Sequence, residues 1–174
     1  MLTFDLCRTA DEAAFWAGFF VRHVTKSYIS HSELQSDRTG PDGDWSPRLR
    51  EEIESELRDC VAAAGADRAG AATWRGAFTV QSDGQPAGLA IVLYDRNGPV
   101  PFGVVEDMLV DAGMRGHGIG SALLDHVIED MRRAGLKRVF LESGVDNAGA
   151  HTLFERRGFE QVSVVMARSL EESR

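Results

Sequence analysis

The feature that most constrains the fold is a junction. Val104, Val105, Glu106, Asp107, Met108, Leu109 and Val110 form a strand-like run that passes into a stretch holding Gly113, Gly116, Gly118 and Gly120. Beyond it Ile119, Leu123, Val127 and Met131 recur every four residues, flanked by Leu124 and Ile128, which predicts a helix packing one face and ending near Gly135. Strand, glycine turn and helix in that order gather several backbone N–H groups and the positive end of a helix dipole at one point, and such a point suits an anion. The loop lacks the Gly-Lys-Ser/Thr ending of a phosphate loop, and its glycines lack the spacing of a dinucleotide-binding turn.

The flanking sequence supplies the other elements. Leu2, Phe4 and Leu6 alternate with polar residues as a first strand. A helix starts at Thr9 or Asp11 and runs to about Tyr28, its apolar side made by Phe15, Phe19, Val21, Val24 and Tyr28 and widened by Trp16 and Phe20. Residues 30–47, with Gly40, Pro41, Gly43 and Asp44, read as a loop long enough to serve as a lid or binding loop. A second helix runs from about Pro47 to a stop at Gly65, with Glu51, Glu52, Glu54 and Glu56 early in it. Residues 77–81 and 89–94 predict a hairpin joined through 82–86. A strand at 138–142, a short helix over 148–157 stopped by Gly158, and a last strand at 159–166 complete the order β-α-α-β-β-β-α-β-α-β. That order predicts one mixed α/β domain over residues 1–174.

The charge balance narrows the function classes. With 27 acidic and 19 basic residues the net charge is −8, which argues against a nucleic-acid or anionic-membrane binder. Cys7 and Cys60 have no disulfide framework or metal-ligand spacing around them, so no metal is expected and a reducing, cytoplasmic setting is the default. The apolar run 13–21 is bounded by Glu12 and Arg22, and no targeting or membrane segment is expected. Val162, Val164, Val165 and Met166 could pair across a homodimer or equally pack in the core.

Arg115, Gly116, His117, Gly118, Ile119 and Gly120 match the (Arg/Gln)-x-x-Gly-x-(Gly/Ala) pyrophosphate loop of the GNAT N-acetyltransferase superfamily. The preceding Met108, Leu109 and Val110, and the later Asn147, Ala150, Leu153, Phe154, Arg156, Gly158 and Phe159, resemble that family's flanking motifs. The resemblance covers about 104–159; upstream, only the order of elements matches. It implies a GNAT-like mixed sheet flanked by helices, with acetyl-CoA as co-substrate in a cleft between two splayed strands. It further implies that Met108, Leu109 and Val110 offer a backbone edge to pantetheine. The amides of Arg115, Gly116, His117, Gly118, Ile119, Gly120 and Ser121 would cradle the pyrophosphate, and Asn147 would bond the pantetheine arm. The Arg115 guanidinium could add charge-assisted bonds to phosphate or lie idle at the surface, and Asn147 could instead be a helix cap.

Acetyl transfer to an amine requires a neutral nucleophile, yet a lysine-like amine has a pKa of about 10.4. Glu106 lies four residues before Val110, where many members of the family place a glutamate, and is the candidate general base, directly or through water. A structural ion pair is its alternative. Strand alternation places Glu106, Met108 and Val110 on one face and Val105, Asp107 and Leu109 on the other, which makes Asp107 structural. Many members carry a tyrosine that protonates the departing thiolate; here that position is Phe154, which has no proton to give. A thiol pKa of about 8.5 permits unassisted departure or protonation by water, and a backbone N–H near Met108 could take the oxyanion. Neither Tyr28 nor Tyr94 can be placed at the sulfur, and Cys60, beside Val61 to Ala64, reads as an inert buried thiol. Glu33, Asp37, Asp42 and Asp44, with Trp45 and Tyr28 as an aromatic wall, predict a cationic acceptor: a polyamine, an aminoglycoside-like amine, lysine or a peptide N-terminus. The rival is a non-catalytic acyl-CoA sensor module, for which Phe154 speaks.

Overall fold

A computed structural model describes residues 1–64 and 71–170. Five strands form one sheet in the order of the chain: β1 (Leu2–Leu6), β2 (Thr73–Ser82), β3 (Gln85–Asp95), β4 (Phe102–Val110) and β5 (Arg138–Leu141). The first four are antiparallel and β5 runs parallel to β4. The β2–β3 hairpin turns on Asp83 and Gly84, both at positive φ (49° and 79°), the geometry that an Asp-Gly pair supplies to a tight hairpin. Both strands are longer than alternation alone predicts, because they pair with each other along nearly their whole length, while β4 covers most of the other edge of β3 and β1 covers half of the other edge of β2.

Helices cover the two faces. On one, α1 (Ala10–His23) and α3 (Leu49–Ala64) bury Phe19, Phe20, Ile53 and Leu57 against Leu89, Ile91 and Leu109. On the other, α4 (Ile119–Arg133) buries Ile119, Leu123, Leu124, Val127 and Met131 against Val92, Tyr94 and Val105. A one-turn helix α2 (His31–Leu34) and the short α5 (Ala148–Arg156) complete the described elements. The expected stop of α3 at Gly65 lies outside the described residues.

Three expectations change. First, α1 ends at His23 rather than near Tyr28: Val24 and Thr25 are extended, as β-branched residues favour, and Lys26–Tyr28 form a separate 3₁₀ turn. Second, the loop over 30–47 contains α2, started by a capping box in which the Ser30 backbone N–H and side chain both bond the Glu33 carboxylate. Third, residues 159–166 form no strand: Val162, Val164, Val165 and Met166 are exposed, and the sheet ends at β5. Alternating apolar residues satisfy the pattern of a strand, but a strand also needs a neighbour for its N–H and C=O groups, and none of the described residues provides one.

Candidate active site

The site begins with a register shift in β4. Val105 pairs with Val92 and Asp107 pairs with Ile91, so Glu106 has no residue opposite it. This bulge breaks the alternation. Val105 packs in the core under α4, whereas Leu109 packs in the core under α1 and α3. Asp107 is buried on the α1/α3 side, and Glu106 and Asp107 line one cavity instead of facing opposite ways. Pairing between β4 and β5 stops at Val105 and Leu141, so the two strands part beyond the bulge. Met108, Leu109 and Val110 therefore lie past the last rung. Two of their backbone groups already have partners: the Met108 N–H donates to Tyr28 Oη at 3.1 Å, and the Val110 carbonyl accepts from Arg115 Nε at 3.3 Å.

After β4, Asp111 accepts from the Gly113 N–H, and the chain reaches α4 through Gly116 and Gly118 at φ +81° and +79°. Side chains rarely adopt that backbone region, and a Cβ at either glycine would meet nothing within 4 Å, leaving room for an incoming ligand. Gly118 caps α4 without a side chain, so the first-turn amides at Ile119, Gly120 and Ser121 are presented as backbone. The Ile119 side chain is in the core, and the His117 ring turns back on the Met114 and Arg115 carbonyls, leaving each residue its amide. The Arg115 guanidinium also donates to the His23 carbonyl at 2.7 Å, tying the loop to the end of α1. Its first role in the fold is thus to anchor the loop.

The segment between α1 and α3 crosses the gap between β4 and β5. Tyr28 Oη donates to Asp107 Oδ1 at 2.9 Å on the β4 side. On the β5 side the Ser30 and Ser32 side chains donate to the Glu142 carboxylate, and His31 Nδ1 lies 2.6 Å from it. Burial pushes the Glu142 carboxyl up, but the Ser30 and Ser32 hydrogen bonds, with His31, outweigh it and leave it below its ordinary value. Farther on, Arg38 enters the interior. Its Nη1 and Nη2 bond Asp107 at 2.9 and 2.7 Å, its Nε and Nη2 bond Glu56 at 3.2 and 2.5 Å, and Nη1 reaches Glu33 at 3.5 Å. Burial disfavours the Arg38 charge, but its bonds to Asp107 and Glu56 more than restore it. Burial likewise raises the Glu56 carboxyl, with only partial relief from Arg38.

Two cavities meet at this crossing. The smaller, about 50 Å³, lies in the gap between the strands and is lined by Tyr28, Glu106, Met108, Ser143, Asn147 and Phe154 among others. The larger, about 250 Å³, is lined by Glu33, Arg38, Glu56, Arg75, Glu106, Asp107 and Glu142 with a few neighbours. Val105, Glu106 and Glu142 border both. Glu106 is held by Arg75 through paired bonds of 2.8 and 2.9 Å, and the carboxylate raises the Arg75 guanidinium above its ordinary value.

The acidic wall is not made by the residues the loop sequence singles out. Of Glu33, Asp37, Asp42 and Asp44, only Glu33 lines the larger cavity; Asp44 pairs with Lys26 at the surface and Asp42 bonds the Asp44 N–H within its own turn. Trp45 packs beside Tyr28, with ring centres 6.3 Å apart, and borders neither cavity. Glu142, Glu56, Arg38 and Arg75 are the residues that sequence reasoning missed. Only α2 had a local signal, the Ser30-x-x-Glu33 capping box. Cys60 lies buried under α3, and burial pushes its thiol up to about 12, which removes it as a nucleophile.

The smaller cavity and the glycine loop fit a coenzyme A thioester. Ser143 Oγ is buried without a hydrogen-bond partner among the described residues and borders the cavity. Asn147 occupies the N-cap position of α5, yet its side chain makes no capping bond and also borders the cavity. Both are polar groups left free to take a pantetheine amide.

The described residues thus form a mixed sheet whose parallel strands part beside a glycine loop at a helix start, with an acid-lined cavity behind the gap. The acetyltransferase (GNAT) family model matches residues 35–159, and the chain belongs to that family. Among individual proteins, it is 41% identical over 61 residues to an uncharacterized N-acetyltransferase of Methanocaldococcus jannaschii, a match covering 35% of this chain and 27% of that protein. It is 29% identical over 87 residues to the ribosomal protein bS18-alanine N-acetyltransferase of Escherichia coli K12, covering 50% of this chain and 56% of the relative. The chain thus spans between about a quarter and just over half the length of these curated relatives. Among solved structures, an aminoglycoside N-acetyltransferase in complex with CoA superimposes with a TM-score of 0.64 at 15% identity, over 98% of this chain and 95% of that one.

Proposed function

We propose that this protein transfers an acetyl group from acetyl-CoA to a primary amine on a cationic acceptor. The observation that carries the proposal is the larger cavity. Glu33, Glu56, Glu106, Asp107 and Glu142 place five carboxylates around it against the two guanidiniums of Arg38 and Arg75, and it adjoins the gap where the thioester would lie. An excess of negative charge in a concave, partly dry space attracts an ammonium group. The relatives named above act, by their names, on a ribosomal-protein alanine and on aminoglycosides, both amines. Polyamines, aminoglycoside-like amines, lysine and peptide N-termini are the acceptor classes in view.

In the proposed site the coenzyme's diphosphate lies on the amides from Arg115 to Ser121, and its arm passes Asn147 and Ser143. Bound there, acetyl-CoA supplies an activated acyl group. Glu106, at the boundary of the two cavities and oriented by Arg75, takes the proton from the incoming ammonium through water. A sensor module would need the coenzyme cleft alone, whereas the adjoining carboxylate cavity supplies a place for a second substrate.

The test is thiol release from acetyl-CoA across an amine panel. Cationic amines should raise release over the amine-free rate, while neutral or anionic acceptors should not. Glu106→Gln should lower kcat/KM about 100-fold and remove its dependence on a carboxylate in the pH profile. Release that no amine stimulates would point to the sensor reading. Unchanged turnover in Glu106→Gln would sink the base assignment.

A further inference from the structure

We propose that Tyr28 is a catalytic residue, donating its hydroxyl hydrogen to the thioester carbonyl oxygen beside the Met108 amide. The proposal rests on the acetyl-transfer reading above and assigns a residue to it.

The position comes first. The chain has two tyrosines. Tyr94 is buried on the α4 side, with its hydroxyl on Asp130 at 2.5 Å. Tyr28 borders the cavity in the gap between β4 and β5, the same cavity that Phe154 lines without a hydroxyl. Its Oη lies 3.1 Å from the Met108 nitrogen, on the unpaired edge of β4 beyond the last β4–β5 rung. That amide already donates to the phenol oxygen, so a carbonyl oxygen entering the gap would share its hydrogen in a three-centre bond and lie next to the phenol.

The wiring behind the phenol permits the exchange. In this structure the Tyr28 hydrogen goes to Asp107 Oδ1. Asp107 also holds Arg38 on both carboxylate oxygens, so it stays paired when the hydroxyl rotates away. A carboxylate already satisfied by a buried guanidinium gives up a neutral donor cheaply; one with no other partner would not. The ring itself is fixed edge-on to Phe20 at 5.9 Å and against Trp45, so the hydroxyl changes partner without the ring leaving its place. Burial, and then the Asp107 charge, raise the phenol well above its ordinary pKa. Such a phenol remains a hydrogen-bond donor and is badly matched to giving its proton to a thiolate.

The step balances without consuming the tyrosine proton. The amine nitrogen forms a bond to the carbonyl carbon, and the C=O π pair moves onto oxygen, where the Met108 N–H and Tyr28 O–H meet the developing charge. Collapse restores C=O and breaks the C–S bond, and sulfur leaves with the bonding pair. Of the two protons an ammonium loses on becoming an amide, the first leaves through Glu106 and water to solvent before attack, the second passes from the attacking nitrogen by the same route to the thiolate, and Tyr28 ends as it began.

Two measurements on the full chain test this. In steady-state turnover with acetyl-CoA and a cationic amine, Tyr28→Phe should lower kcat about 100-fold, the usual cost of losing one oxyanion donor, with an unshifted pH profile. In equilibrium binding, the wild type should prefer acetyl-CoA over coenzyme A, which has no carbonyl. Tyr28→Phe should reduce that preference about fivefold while binding coenzyme A as before. Unchanged kcat overturns the proposal. So does a kcat loss with a displaced pH limb, which marks a proton donor, or a loss of coenzyme A affinity equal to that of acetyl-CoA, which marks a structural role. The binding comparison needs no turnover, so it judges Tyr28 even if no amine is acetylated and the functional reading itself fails. If Tyr28→Phe does not fold, 3-fluorotyrosine at position 28 keeps the hydroxyl. Unaltered turnover and pH profile there support a donor, and a shifted profile overturns it.

Discussion

Glu33, Glu56 and Asp107 would repel one another if the Arg38 guanidinium did not lie among them. Its side chain is 11% exposed and that of Asp107 is fully buried, so solvent does little of the screening. A buried ion pair is not a large net source of stability, but removing one partner leaves an uncompensated charge, which typically costs about 3–5 kcal/mol. Arg38→Met should therefore lower unfolding stability by about that amount in a denaturant titration. Arg48→Met, which removes pairs with Glu51 and Glu52 made by a guanidinium that is itself largely exposed, should change it by less than about 1 kcal/mol. Equal effects would contradict the burial argument. None of this was legible in sequence. A lone arginine in an acidic loop carries no pattern, and Glu106 was assigned to the face opposite Asp107 because alternation assumes an unbroken strand. The bulge that turns it depends on how β4 pairs with β3.

Among the elements, the strand–loop–helix from β4 to α4 was readable because its signals are local: glycines where φ is positive, and a four-residue apolar repeat where a helix packs. The segment from Thr25 to Glu33 was not. Its position is set by contacts with residues about eighty to more than a hundred positions away, on β4 and at the end of β5. One of those contacts gives a test. A Cβ on Gly144 would lie 2.5 Å from the backbone carbonyl oxygens of both Ser27 and Ile29, closer than real side chains come, and backbone cannot step aside as a flexible side chain can. Gly144→Ala should thus cost about 1–3 kcal/mol and, by shifting the turn that carries Tyr28, lower turnover as well. Gly149→Ala, in α5 with open space around it, should be neutral or stabilising by up to about 1 kcal/mol. Calorimetry and turnover on the two variants compare a glycine needed for close approach with one that is not. The final apolar run shows the opposite limit of local reading, since its pattern was correct for a strand and no edge among the described residues received it.

Across the whole molecule the charge is unevenly placed. Residues 112–157, which carry the glycine loop and α4 to α5, hold seven bases and six acids, while the rest of the chain is at −9. The structure gives that separation a geometry, with the neutral part supplying the glycine loop and Glu142, and the acidic part supplying Glu33, Glu56, Glu106 and Asp107, against Arg38 and Arg75, around the larger cavity. Charges at the mouth of a concave site act on an approaching ligand over roughly a Debye length, about 10 Å at 0.1 M salt, and less as salt rises. If the acceptor is drawn in as a cation, its kcat/KM should fall about three- to tenfold between about 0.02 and 0.5 M salt, at saturating acetyl-CoA. Under the same conditions kcat should change much less, because once the ammonium is bound against partly buried carboxylates the salt no longer screens the contact well. A neutral amine of similar size should show no such slope. Initial rates for a matched pair of amines over a salt series make the comparison, and equal slopes for the two would show that the carboxylates around the cavity serve the fold rather than the substrate.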